Sequence, residues 1–131
     1  MRIMVDTNIL VSAILNHNSI AAQALSKAVR EHSLVICSYV IEELSDVFMR
    51  KFPDKLGKLD AFLLNLDYEL CETHSVSSDT PDMRDEDDRP ILQSAIDTEA
   101  DVILTGDDDF HALEVESPII ISPGDLLRGL A

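Results

Sequence analysis

The opening of the chain, Ile3-Met4-Val5-Asp6-Thr7-Asn8, leaves few folds open. Three consecutive apolar residues read as a short strand buried on both faces, as strands in covered parallel sheets are. The run stops on an acid, and helical spacing begins at once with Ile9, Leu10, Ala13 and Ile14. A buried strand that feeds a helix, with a carboxylate at the joint, is how an open α/β sheet builds a site. Ligands there sit in the crevice outside the carboxyl ends of the strands. If Asp6 lies in that crevice, other acids should reach the same edge from elsewhere. Glu43, Asp88, Asp107 and Asp109 are the candidates.

The rest of the chain repeats the alternation. The spacing predicts helices over about 7–15 and 20–31, the second capped by Ser19, then a strand over 34–37. Ser38 is expected to cap a helix to about Lys51, and Pro53 to end it and open another through Leu66. Residues 68–73 read as a weaker third strand and 75–87 as polar loop. A helix follows from about Arg89 to Glu99, then a strand over 102–105, a turn over 106–109 and a last strand over 119–121. Ser122-Pro123-Gly124-Asp125 supplies an N-cap, a proline at N1 and an acid at N3 for a final helix. Strands alternating with helices predict one three-layer α/β domain with a mostly parallel sheet.

Charge restricts the partners. Twenty-five acids against ten bases give a net charge of −15, which argues against a general duplex binder. It leaves room for an enzyme whose acids hold divalent cations, because the ions invert the local potential. Between Asp79 and Glu116 fourteen acids meet only two bases, Arg84 and Arg89. Other bases gather in Arg50, Lys51, Lys55 and Lys58, the best candidate for touching a phosphate backbone. Cys37 and Cys71 each lie in an apolar run and are expected to be buried, reduced thiols. No run approaches the roughly 20 apolar residues of a membrane span, and the start of the chain does not read as a signal peptide. A cytoplasmic protein without a membrane partner is expected.

Each acid has an ordinary explanation. Asp6 and Asp88 can cap helices, and Asp107 and Asp109 can serve a turn. In the helix after Tyr39, Glu43 falls on the flank of the stripe formed by Val40, Leu44 and Val47, whereas Glu42 shares the polar face of Asp46. Asp88 heads the stripe of Ile91, Leu92 and Ala95, while Asp85 and Asp87 read as loop surface. Taken together, four or five acids at strand ends and core-facing helix flanks are harder to explain. Carboxylates 4 Å apart repel by about 4 kcal/mol per pair at an effective dielectric near 20. A fold keeps such a group if cations hold it or if some pKa values rise. All-oxygen ligands select Mg²⁺ or Mn²⁺, ions that activate water for phosphodiester hydrolysis. Asn8 and Thr105 flank the acids and can support a carboxylate or a metal-bound water. The four histidines show no metal-ligand spacing, and no Gly-rich phosphate loop is present.

Val5-Asp-Thr-Asn8, Glu43-Leu44, Asp88-Arg-Pro-Ile-Leu-Gln-Ser-Ala95 and Leu104-Thr-Gly-Asp-Asp-Asp-Phe110 together resemble the PIN-domain family, in particular the VapC-like toxins of toxin–antitoxin pairs. The resemblance spans nearly the whole chain. It implies a Rossmann-like parallel sheet of order 3-2-1-4-5 and a Mg²⁺- or Mn²⁺-dependent endoribonuclease acting on single-stranded RNA, leaving a 5′-phosphate and a 3′-hydroxyl. It also implies a homodimer inhibited by a cognate antitoxin. Carried over by position, Asp6, Glu43, Asp88 and Asp107 would be the catalytic, metal-binding acids and Asp109 an accessory ligand, with Asn8 and Thr105 as supports. The acidic loop 82–88 departs from the pattern and leaves open whether Asp85 or Asp87 joins the site.

Two other kinds of protein compete. A phosphoryl-transfer or receiver-like domain would use Asp6 as nucleophile or phosphoacceptor. Against it, Asn8 stands where a haloacid-dehalogenase-like enzyme has a second Asp, and no second strand ends in the Asp that follows a receiver's acid pair. The other is a non-catalytic module that binds RNA or protein through the same fold.

Overall fold

The computed structural model describes residues 1–129. Five strands form one sheet of order β3-β2-β1-β4-β5: β1 (Arg2–Val5), β2 (Ser33–Cys37), β3 (Glu69–Cys71), β4 (Val102–Leu104) and β5 (Ile119–Ile121). Every pairing is parallel, so the expected mostly parallel sheet is wholly parallel among the described residues. Helices α1 (Thr7–Leu15) and α2 (Ile20–Glu31) join β1 to β2. Helix α3 (Ser38–Lys51), a 3₁₀ turn at Pro53–Lys55 and α4 (Leu56–Asn65) join β2 to β3. A long loop, a 3₁₀ turn at Glu86–Asp88 and α5 (Arg89–Asp97) lead to β4. The short α6 (Asp108–His111) precedes β5, and α7 (Pro123–Leu127) follows it.

The first two crossovers run one way across the sheet and the later ones run the other way. Right-handed connections then put them on opposite faces. Three layers result, and the central strands are apolar throughout because both their faces are covered: Ile3, Met4, Val5, Val35, Ile36, Val102, Ile103 and Leu104 have no exposed surface. The chain changes direction across the sheet between β1 and β4, where Val5 pairs with Leu104. The residues that follow these two, Asp6 and Thr105, therefore leave the sheet side by side, at the crevice where α/β proteins bind ligands.

Several helix ends follow directly from local chemistry. Ser19 accepts from the Ala22 amide at 3.1 Å and Ser122 from the Asp125 amide at 3.1 Å, with Pro123 at the first helical position. Ser38 is not the cap of α3 that its position suggests. Cys37 holds that place, and the Ser38 hydroxyl accepts instead from the Thr73 amide at 2.9 Å, while the Thr73 hydroxyl accepts from the Tyr39 amide at 3.0 Å. This reciprocal pair ties the start of α3 to the chain leaving β3, a partner no local reading could supply. Strand β3 is shorter than expected. Cys37 and Cys71 are buried free thiols opposite one another in the β2–β3 register.

Candidate functional site

Asp6 sits at the joint between β1 and α1 and is almost wholly buried. Both of its oxygens are engaged. Oδ1 accepts from the Thr7 amide at 2.7 Å, and Oδ2 accepts from the Thr105 hydroxyl at 2.8 Å. Thr105 also receives the Asp107 amide on its hydroxyl at 3.0 Å, so one buried threonine couples the end of β1 to the loop after β4. On the other flank the Thr7 hydroxyl donates to Glu43 Oε1. Glu43 is half-buried and Glu42 exposed, as the helix phase requires. Asp107 caps α6 by accepting from the Asp109 amide at 2.9 Å.

Burial and crowding raise the proton affinity of two of these acids, Asp6 and Asp88. Asp6 is pushed up to about 6, first by burial, with the charges of Asp107 and Glu43 adding to it. The Thr105 and Thr7 hydrogen bonds oppose the shift because they favour the charged form. Asp88 is pushed up to about 8, first by burial, next by the Asp107 carboxyl as hydrogen-bond partner of its protonated form, then by the charges of Asp6, Asp107 and Asp85. Asp88 is not the helix cap its position suggests: its backbone is already helical and its side chain makes no cap hydrogen bond. Asp88 Oδ2 is buried and has no hydrogen-bond partner among the described residues.

Asp85, Asp88 and Asp109 can each direct one carboxylate oxygen so that the three atoms lie within 4.8 Å of one another. Asp85, which reads as loop surface in the sequence, thus joins two of the expected acids. A partnerless buried oxygen, converging carboxylates and raised pKa values all fit a hard divalent cation. Such an ion would satisfy the oxygen and cancel the repulsion.

A family profile described as PIN domain matches residues 2–109. The chain belongs to the PIN-domain family. The PIN domain here is similar in fold to a chain of the VapBC2 complex of Rickettsia felis bound to a DNA fragment from its promoter, with 21% identity and a TM-score of 0.73. That alignment covers 93% of this chain and 98% of the other. It is also similar to VapC20 of Mycobacterium tuberculosis, a toxin that cleaves the sarcin–ricin loop, with 14% identity and a TM-score of 0.57 over 86% of this chain and 98% of the other. No curated protein matches this chain in sequence.

The remaining expected residues are spread more widely. Asn8 is exposed in the first turn of α1, and its side chain makes no hydrogen bond among the described residues. Arg50 lines a cleft of about 210 Å³ together with Tyr39, Glu42, Glu43 and Asp46, so the basic end of α3 opens onto the flank of Glu43. Burial followed by the charges of Glu43, Asp87, Asp88 and Asp85 pushes the Tyr39 hydroxyl up to about 12. Lys51 and Lys58 are exposed and Lys55 is half-exposed. Three site residues have no counterpart in the sequence reading: Thr7, which links Asp6 to Glu43; Arg84, whose Nε pairs with Asp109 Oδ1 at 3.2 Å; and His111, whose Nε2 lies 2.9 Å from the Thr105 carbonyl oxygen. Thr7 follows Asp6 directly and could have been suspected from that alone. The other two depend on how α6 and the acidic loop fold back.

Proposed function

We propose that this PIN domain is a divalent-metal-dependent endoribonuclease that hydrolyses single-stranded RNA, and that it is the toxin of a toxin–antitoxin pair. The observation that carries the reading is the buried Asp88 oxygen, unpartnered among the described residues, in an acidic group of which Asp6 and Asp88 hold their protons abnormally tightly. The family, and the VapBC and VapC20 proteins that share the fold, support it. Asp6, Glu43, Asp88 and Asp107 would hold Mg²⁺ or Mn²⁺, with Asp109 as a further ligand and Asp85, whose carboxylate meets those of Asp88 and Asp109, beside them. A bound ion would lower the pKa of a water and steady the leaving oxygen of a phosphodiester.

The chain's own groups do the positioning. Thr105 and the Thr7 amide fix the two Asp6 oxygens, and Thr7 Oγ fixes Glu43. Each engaged carboxylate oxygen keeps a second lone pair for an ion. Burial keeps competing water from Asp6. Arg50, Lys51, Lys55 and Lys58 would meet phosphates on the α3 side, and Asn8 would support a water at the mouth. The partners in this reading are RNA, an antitoxin protein and a second copy of the chain, and the setting is the cytoplasm. No helix among the described residues is long and apolar enough to cross a membrane.

The test is cleavage of end-labelled single-stranded RNAs of varied sequence by purified protein in Mg²⁺ or Mn²⁺, with a chelator control. Metal-dependent products ending in a 5′-phosphate are expected. RNA left intact in both metals, with no antitoxin present, would refute the catalytic reading and favour a binding module.

A further inference from the structure

We propose that Arg84 grips a phosphate of the RNA strand where it crosses the acid-lined edge, an inference that rests on RNA being the substrate. The acidic segment from Asp79 to Glu116 contains two cations, and the structure uses them differently. Arg89 is largely buried and spent within its own loop. Its Nε donates to the Pro81 carbonyl at 3.3 Å and its Nη2 to the Thr80 carbonyl at 2.8 Å, while Nη1 pairs with Glu86 at 3.3 Å. The side chain of Arg84 is 76% exposed, and its Nε pairs with Asp109 Oδ1 at 3.2 Å. Its two terminal nitrogens have no partner among the described residues. A guanidinium anchored by Nε and open at its fork is arranged to take a phosphate through two parallel hydrogen bonds.

The arm that carries Arg84 is held in place. Met83 beside it is buried. Further back, the buried Gln93 accepts from the Ser77 amide at 2.9 Å and from the Thr80 hydroxyl, and Arg89 clasps Thr80 and Pro81. On the other side, Asp85 Oδ1 accepts from the Asp87 amide at 3.0 Å and shapes the turn into Asp88. The loop therefore delivers the guanidinium to the rim of the Asp85–Asp88–Asp109 group. A polyanion approaching that rim meets concentrated negative charge, and Arg84 is the cation placed to offset it. Arg50 serves the α3 side of the site and Arg84 the α6 side.

The experiment compares Arg84→Gln and Arg84→Lys with wild type. RNA binding is read by fluorescence anisotropy over a salt series, in an Asp6→Asn background so that the strand survives, and cleavage kinetics are read in the native background. Arg84→Gln should weaken binding about tenfold and make the log Kd against log salt slope shallower by about 0.7, the value for one phosphate contact on a single strand. KM should rise by a similar factor with kcat within about twofold, and Arg84→Lys should recover part of the loss, because Lys binds phosphate as a point charge without the fork. Mn²⁺ affinity in the absence of RNA should not fall. Unchanged binding and salt slope in Arg84→Gln would overturn the proposal, as would a loss confined to kcat or to metal affinity. If wild type binds RNA without cleaving it, the nuclease reading alone fails and the anisotropy comparison still decides the role of Arg84. If wild type binds no RNA, both fail.

Discussion

The two edges of the sheet treat charge in opposite ways. At the edge where the strands begin, charges are matched. Arg2 pairs with Glu69 at 2.6 Å, its Nε donates to the Thr98 carbonyl at 3.2 Å, and its backbone amide donates to Asp101 at 2.8 Å. At the edge where the strands end, like charges are pressed together and a buried carboxylate oxygen of Asp88 is left without a partner among the described residues. The first arrangement joins β1, β3 and the segment before β4, and its role is structural. The second costs the fold stability unless something arrives to neutralise it. Strain of that kind, concentrated at one edge of a well-packed core, is the physical ground for proposing that edge as the binding edge.

Removing the central acid should give the largest effect. Asp6→Asn takes away one charge and keeps an oxygen for the Thr7 amide. An ion contributes several kcal/mol to stabilising the charge that develops in phosphodiester hydrolysis, so kcat/KM for RNA should fall at least about a hundredfold. Thermal stability without metal should hold or rise. A variant as active as wild type would remove Asp6 from the site.

The next effect is on stability. Asp6 and Asp88 have folded pKa values raised above those of an unfolded chain, so folding favours their protonated forms. Their contribution is fully present below the unfolded value and is lost as pH rises through about 6 for Asp6 and about 8 for Asp88. Metal-free protein should therefore be more stable to urea at pH 5.5 than at pH 8.5, by on the order of 2–4 kcal/mol. Saturating Mn²⁺ at pH 8 should restore stability, by about 2.7 kcal/mol at one hundred times its dissociation constant. Asp107→Asn should blunt both responses. A flat pH profile together with no response to Mn²⁺ would count against the site.

The smallest effect belongs to the opposite edge. Arg2→Ala breaks a partly exposed ion pair and a hydrogen bond, for a loss of about 1 kcal/mol. Melting should fall by a few degrees, with RNA cleavage and the Mn²⁺ response unchanged. If Arg2→Ala altered metal affinity, the two edges would not be independent.

The legible parts of the fold are those whose causes are local. Helix phase separates half-buried Glu43 from exposed Glu42, and Ser19 and Ser122 cap the helices they precede. Ser38 does not cap α3, because its hydroxyl is taken by the amide of Thr73, far away in sequence. Asp85 reads as loop surface in the sequence for a similar reason. Its position follows from where the acidic loop lies, and that depends on Gln93 and Arg89 of α5 holding Ser77, Thr80 and Pro81.

By itself the sequence determined the alternation of strands and helices, the burial of the central strands and the acids that stand at strand ends and helix flanks. Hydrophobic spacing and capping chemistry act over a few residues, so they are written in the order of the chain. Which carboxylates meet, and which cation stands beside them, was decided only by tertiary structure. Asp6 and Thr105 touch because β1 and β4 are neighbours, although they are ninety-nine positions apart in the chain. Arg84 reaches Asp109 because a clamped loop returns to the start of α6. Coulomb forces and hydrogen bonds depend on distance through space, and that distance is set by the packing of the sheet and not by position along the chain.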